Sequence, residues 1–142
     1  MSARVLIVAH RTAATPRLLD EVRRRAARGP CTFTLLVPCT YWDPDTEQAA
    51  TTLELALPLL DEAAGTTVAG VVGVSDPFAA IQEETARAAY DEVIISTLPA
   101  RISHWLRRDL PHRVEQLGFP VTVVTASGGR RVDGEGAAQD LD

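Results

Sequence analysis

Short apolar runs alternate along the chain with longer stretches in which apolar residues return every three or four positions. Val5-Leu6-Ile7-Val8-Ala9 is continuously apolar, without the alternation of a half-solvated strand. Such runs mark strands covered on both faces, as in parallel sheets flanked by helices. Thr32–Val37, Val68–Val74, Val93–Ile95 and Pro120–Val124 read as four further strands, the segment at Val68–Val74 loosened by Gly70 and Gly73. Between them lie helical patterns with recognisable ends. Thr15-Pro16 sets a hydroxyl N-cap before a proline at the first helical position. The helix that follows, to about Arg28, carries Leu18, Leu19, Val22 and Ala26 on one stripe and Arg17, Arg23, Arg24 and Arg28 elsewhere, and Gly29-Pro30 stops it. The breaker-rich segment Pro38–Asp45 is a loop.

A second helix, from about Thr46 to Ala64, aligns Leu53, Leu57, Leu60 and Ala64. Pro58 inside it is expected to kink or split it. Asp76-Pro77 repeats the cap-then-proline device for a third helix to about Tyr90, with a core face of Phe78, Ile81, Thr85 and Ala88 or Ala89. A fourth runs from about Ser103 to Leu117, with an interruption near Pro111. Strand and helix thus alternate throughout. The fold class is α/β, a doubly wound, five-stranded, mainly parallel sheet with right-handed crossovers and helices on both faces. From Ser127 the composition turns to Gly, Arg, Asp, Glu and Ala with almost no large apolar residue. Such a segment cannot bury enough surface to offset its ordering entropy. Residues 1–126 therefore read as one domain and 127–142 as a disordered tail.

The chain has 142 residues, of which 46% are hydrophobic, enough for one domain with a core that needs no metal or disulfide. The net charge of -5 is too mild to suggest a nucleic-acid or membrane partner. All 14 basic side chains are arginine, which with the many alanines reflects a GC-rich coding sequence and carries no functional weight. Cys31 opens a strand and Cys39 follows its end, so extended backbone holds them too far apart to bridge. Two reduced thiols fit a cytoplasmic protein. The first apolar run is too short for a signal peptide or a membrane span.

Several segments resemble the universal stress protein family. Val71-Val72-Gly73-Val74-Ser75-Asp76-Pro77-Phe78-Ala79-Ala80-Ile81 is similar to that family's strand, Gly-Asp-Pro and helix. Tyr90-Asp91-Glu92-Val93-Ile94-Ile95-Ser96 resembles its Ala-Asp-Leu-Ile-Val-Met-Gly, and Gly118-Phe119-Pro120-Val121-Thr122-Val123-Val124 its closing strand. The ordered set spans nearly all of Arg4 to Thr125. The resemblance implies sheet order 3-2-1-4-5, commonly a homodimer, and in many members ATP as ligand. In those members an aspartate ends strand one, and after strand four a glycine-rich loop lets backbone N–H groups approach the phosphates. Here His10 stands at the aspartate position, and Ser96, Pro99 and Asp109 or Leu110 stand near the loop glycines. Pro99 has no N–H to offer.

Ligands on doubly wound sheets bind outside the carboxyl ends of the strands, near the topological switch point. The segment after strand four, Ser96-Thr97-Leu98-Pro99-Ala100-Arg101-Ile102-Ser103-His104-Trp105-Leu106-Arg107-Arg108, gathers hydroxyls, three arginines, a histidine and a tryptophan. Ser103 can cap its helix, and Arg101 can clamp an oxyanion through two nitrogens. His10, Arg11 and Thr12 lie at the neighbouring strand end. The expected ligand-binding set is therefore His10, Arg11, Thr12, Ser96, Thr97, Arg101, Ser103 and His104, holding ATP, another nucleotide or a different small anion. The reading requires His10, Thr97 and Arg101 to share one cleft. The bland alternative is a solvated basic helix face with Trp105 packed in the core. Tyr41-Trp42 can stack on a planar base or pack over an apolar edge.

No nucleophile elbow, phosphate loop of the Walker type, cleft-forming carboxylate pair or zinc spacing occurs in the sequence. A binding or regulatory module is expected, with a dimeric interaction protein that has lost its small-molecule site as the alternative and a nucleotide-dependent enzyme as a distant third. The fifth strand is expected at the sheet edge with Val121, Val123 and Val124 along it; an exposed apolar edge is a pairing hazard unless covered, and the resemblance implies that a second copy covers it in a homodimer.

Overall fold

The computed structural model describes residues 2–39, 47–99 and 103–126. The expected tail 127–142, Tyr41-Trp42 and Arg101 lie outside the described residues. The elements follow in the order β1 (Ala3–Val8), α1 (Pro16–Ala27), β2 (Cys31–Pro38), α2 (Glu47–Ala64), β3 (Ala69–Gly73), α3 (Pro77–Arg87), β4 (Glu92–Thr97), α4 (His104–Arg107), α5 (Leu110–Glu115) and β5 (Val121–Thr125). The five strands form one sheet in the order β3-β2-β1-β4-β5. Every neighbouring pair is parallel, with Ile7 opposite Leu35 on one side and Ile94 on the other.

The continuous apolar runs split between two cores, because successive side chains on a strand point to opposite faces. Val5, Ile7, Phe33, Leu35, Val37 and Ile94 pack with Leu18 and Val22 of α1 and Ala56 and Leu60 of α2. Leu6, Val8, Leu36, Val93 and Ile95 pack with Ala80 and Ile81 of α3, Trp105, and Leu110 and Val114 of α5. Trp105 is thus a core residue, as the bland reading of its helix has it. Arg25 of α1 adds a charged tie to the sheet, its Nε and Nη2 donating to the two carboxylate oxygens of Glu92 at 2.9 and 3.0 Å.

Some local expectations hold and others are corrected. Thr15 sits at the N-cap of α1 without a side-chain cap bond; its hydroxyl donates backward to the Thr12 carbonyl at 3.1 Å. Asp76 does cap α3, accepting from the Ala79 N–H at 3.3 Å. Pro58 does not split α2, which runs unbroken through it with the proline on the exposed face. On that side water can take the carbonyl that the missing N–H leaves open. The fourth helix breaks ahead of Pro111, at Arg108-Asp109, where Asp109 adopts a left-handed φ of 60°. Pro111 then falls in the first turn of α5, where it is compatible. The buried stripe of α3 runs through Ala80, Ile81 and Glu84, and Phe78 is only half-buried. Gly73 sets this rotation: a Cβ there would lie 2.7 Å from the Ala80 Cβ and 2.9 Å from Leu36 Cδ1, so the helix seats close against a bare backbone.

Neither Cys31 nor Cys39 forms a disulfide. Among the described residues no helix is long and apolar enough to cross a membrane, and no group of three His, Cys, Asp or Glu residues is placed to hold a metal ion.

Candidate functional site

In this sheet the connections change direction between β1 and β4, which places the switch point at their carboxyl ends. After β1 the chain makes two tight turns before α1: the Ala13 N–H donates to the His10 carbonyl and the Thr15 N–H to the Thr12 carbonyl. These turns fold Thr12 back over the end of β4. Its hydroxyl lies 2.6 Å from that of Ser96, and the Ser96 hydroxyl also reaches the Thr12 carbonyl at 3.4 Å. Thr12 and Ser96 are 2% and 1% exposed, so this hydroxyl pair fills the crevice between the two strand ends and faces no solvent.

Strand alternation sends Ser96 to the α1/α2 face and Thr97 to the other. Thr97 is fully buried, and its hydroxyl donates to the Leu98 carbonyl at 2.7 Å. Ser103 is also fully buried and accepts from the Leu106 N–H at 3.0 Å, so it caps α4 as expected. The structure therefore brings Thr12 and Ser96 together, but each serves the other. Thr97 and Ser103 are engaged locally. The required meeting of His10, Thr97 and Arg101 rests on a residue outside the described set, and His104 enters α4 at its first position.

His10 and Arg11 open instead onto a cleft of about 640 Å³ on the α1/α2 face. One wall is the β1–α1 turn, with His10, Arg11, Ala13 and Ala14; the other is the first half of α2, with Gln48, Thr51, Thr52, Leu55 and Ala56. Ala13 and Ala56 are buried at its floor, Arg11 is exposed, and Leu55 stands 70% exposed at its rim. Cavities of about 300–1,000 Å³ with an apolar floor and a few polar groups suit small organic ligands. The α2 residues escape a search by strand ends, because that rule does not say which crossover helix leans over the switch point. The one available signal is the run Gln48-Ala49-Ala50-Thr51-Thr52, small and neutral-polar in the turns before the leucines begin.

A second polar cluster, also unforeseen, lies at the far end of the sheet. Glu84 on α3 is 4% exposed and accepts from Arg87 at 2.8 Å and from the Tyr90 hydroxyl at 2.5 Å. Arg4 stacks over the Tyr90 ring at 5.2 Å. Burial first, and then the bond to Glu84, raise the Tyr90 phenol above its ordinary value.

Solved structures decide what this architecture is. A universal stress protein from Archaeoglobus fulgidus superposes with a TM-score of 0.62 at 15% identity, covering 88% of this chain and 95% of that one. The chain has the universal stress protein fold. A universal stress protein in complex with cAMP matches with a TM-score of 0.64 at 17% identity, over 89% of this chain and 98% of the other. The Archaeoglobus fulgidus protein in complex with dAMP matches at 0.60 and 16%, over 88% and 98%. No family model and no curated protein sequence matches the chain. The universal stress protein fold thus reaches across almost the whole of both partners, with sequence identity low enough that the likeness speaks for architecture alone.

Proposed function

We propose that the protein is a ligand-binding regulatory module of the universal stress protein kind, working in the cytoplasm in a stress response and taking a nucleotide or another small anion at the carboxyl end of β1. The observation that carries this reading is the cleft between the β1–α1 turn and α2, adjoining the switch point, with a buried methyl floor and Arg11 at its edge. Two solved proteins of the same fold are complexes with cAMP and dAMP, which supports a nucleotide as the class to test first. The module acts by binding and not by turnover. Thr12 and Ser96, two hydroxyls at the switch point, are spent on one another, and the Thr97 hydroxyl is taken by the Leu98 carbonyl. We further propose a homodimer through the β5 edge.

The test is a thermal-shift and calorimetric series with ATP, AMP, cAMP and inorganic phosphate. A ligand at one hundred times its dissociation constant stabilises the folded state by about 2.7 kcal/mol. Arg11→Ala should weaken phosphorylated ligands by about tenfold or more, through loss of a charge-assisted contact. A second reading, an interaction module whose small-molecule site is lost, draws on the closed Thr12–Ser96 pair. Absence of any shift or heat with all four ligands would favour it.

A further inference from the structure

We propose that the edge of β3 is a second self-association surface, on which β3 of another copy of this chain adds antiparallel about a two-fold axis through Val72. The proposal is independent of the ligand-binding reading and concerns the edge opposite β5.

β3 ends the sheet on the side away from β5, and among the described residues no strand pairs with its outer side. One bond shows which of its backbone groups point outward. The Cys39 N–H donates to the Gly73 carbonyl at 3.0 Å, so the polar groups of Gly73 face β2. That direction alternates along a strand, so Ala69 and Val71 also face β2, and the N–H and C=O of Gly70 and Val72 face outward. Val74, one residue past the strand, continues the outward set. The edge lacks the protections that edge strands commonly carry: from Thr66 to Ser75 there is no charged residue and no proline.

In an antiparallel pair the outward residues of the two copies must face each other. The register centred on Val72 uses all of them, with Val72 opposite Val72 and Gly70 opposite Val74 in both directions. A slip toward the start of β3 would call on the Val68 N–H, which the Asp61 carboxylate already holds at 2.7 Å. The side chains fit the centred register. A Cβ on Gly70 would stand 3.0 Å from a methyl carbon of each of Leu53 and Leu57 on α2. Gly70 is exposed, and both leucines are only half-buried. Val74 reaches the same face by alternation and is 42% exposed. Each copy's exposed Val74 is thus set beside the other's bare Gly70, next to half-buried leucines, and the exchange occurs twice. α2 packs over β2 and β3. Two strand spacings, about 10 Å, would separate it from its copy, a distance at which helices pack. An unrelated extended peptide would meet the same backbone without this reciprocal fit.

The experiment is sedimentation of the full chain carrying Val123→Lys, which opposes association at β5, from micromolar to near-millimolar concentration. A reversible monomer–dimer equilibrium that stops at the dimer is expected, because a two-fold contact closes on itself. Without Val123→Lys, contacts at both edges should extend dimers into longer rows. Across the same range, amide hydrogen exchange should slow at Gly70, Val72 and Val74 and at no other position of β3. Val74→Lys puts a charge beside the leucines from an exposed position, and Val72→Pro removes an N–H that faces away from β2. Each should weaken the dimer by about tenfold or more, whereas Val74→Thr should keep it. Val74→Lys should also melt like its parent. Val123→Lys protein that stays monomeric near millimolar concentration would overturn the proposal and leave the edge to a strand of another protein. Association without new protection at those three amides, or unaffected by Val74→Lys and Val72→Pro, would overturn it as well.

Discussion

Two hydroxyls decide the character of the switch point. Thr12 and Ser96 are buried against each other, and a buried donor or acceptor that loses its partner costs about 1–3 kcal/mol. Ser96→Ala is therefore expected to lower stability by that amount in denaturant unfolding, and Thr12→Val similarly. The double variant should cost clearly less than the sum, because no orphaned hydroxyl remains. Strict additivity would show that the pair does not hold the turn. Glu84 and Tyr90 form the other residue-scale couple. With the folded-state phenol raised, the stability that Tyr90 contributes is full below its ordinary value near 10 and fades as pH climbs through the higher folded value. In a Tyr41→Phe background, phenolate absorbance should report a Tyr90 titration displaced upward, and Glu84→Gln should move it back toward 10. A Tyr90 that titrates normally would contradict the buried bond.

Elements in this fold are set by single backbone positions. Gly73 lies under α3 so closely that Gly73→Ala would drive a methyl into Ala80 and Leu36. Overpacking of this kind costs about 1–3 kcal/mol. A fall in melting temperature is expected, and a neutral result would mean α3 can lift away from β3 without loss. Asp109 joins α4 to α5 in the left-handed region, which glycine enters without steric cost and β-branched residues resist. Asp109→Gly should be neutral or slightly stabilising, whereas Asp109→Val should destabilise by about 1 kcal/mol or more. Equal effects of the two would show that the turn does not depend on that conformation.

Assembly is argued at the scale of the whole molecule. β5 does lie at the sheet edge, and among the described residues no strand pairs with its outer side. Its three valines, however, differ in role. Val124 is 8% exposed and belongs to the α1/α2 core, and Val121 packs against the other core, which leaves Val123 exposed at 41%. A dimer across this edge would use backbone hydrogen bonds and Val123, not a continuous valine stripe. Sedimentation at micromolar concentration should give a dimer, and Val123→Lys should convert it to a folded monomer, since a charged edge opposes strand addition. A parent protein that is already monomeric would remove the proposal.

By itself the sequence determined the sheet and its class. Buried parallel strands are written as unbroken apolar runs, and Pro and Gly mark where helices begin and end, so the runs at Val5–Ala9 and Val93–Ile95 and the cap at Asp76-Pro77 could be read directly. It also pointed to the strand ends at His10 to Thr12 and Ser96-Thr97 as the place to look for a site. Only the tertiary structure decided what those residues do there. Whether Thr12 and Ser96 face a ligand or each other depends on how far the turn after β1 folds over β4, a separation of 84 residues that local pattern does not encode. That Glu84 is buried, and that α3 is rotated to bury it, followed from the close seat on Gly73. The wall of the cleft came from α2, because the lean of a crossover helix over a strand end is fixed by packing between elements and not by the periodicity within either.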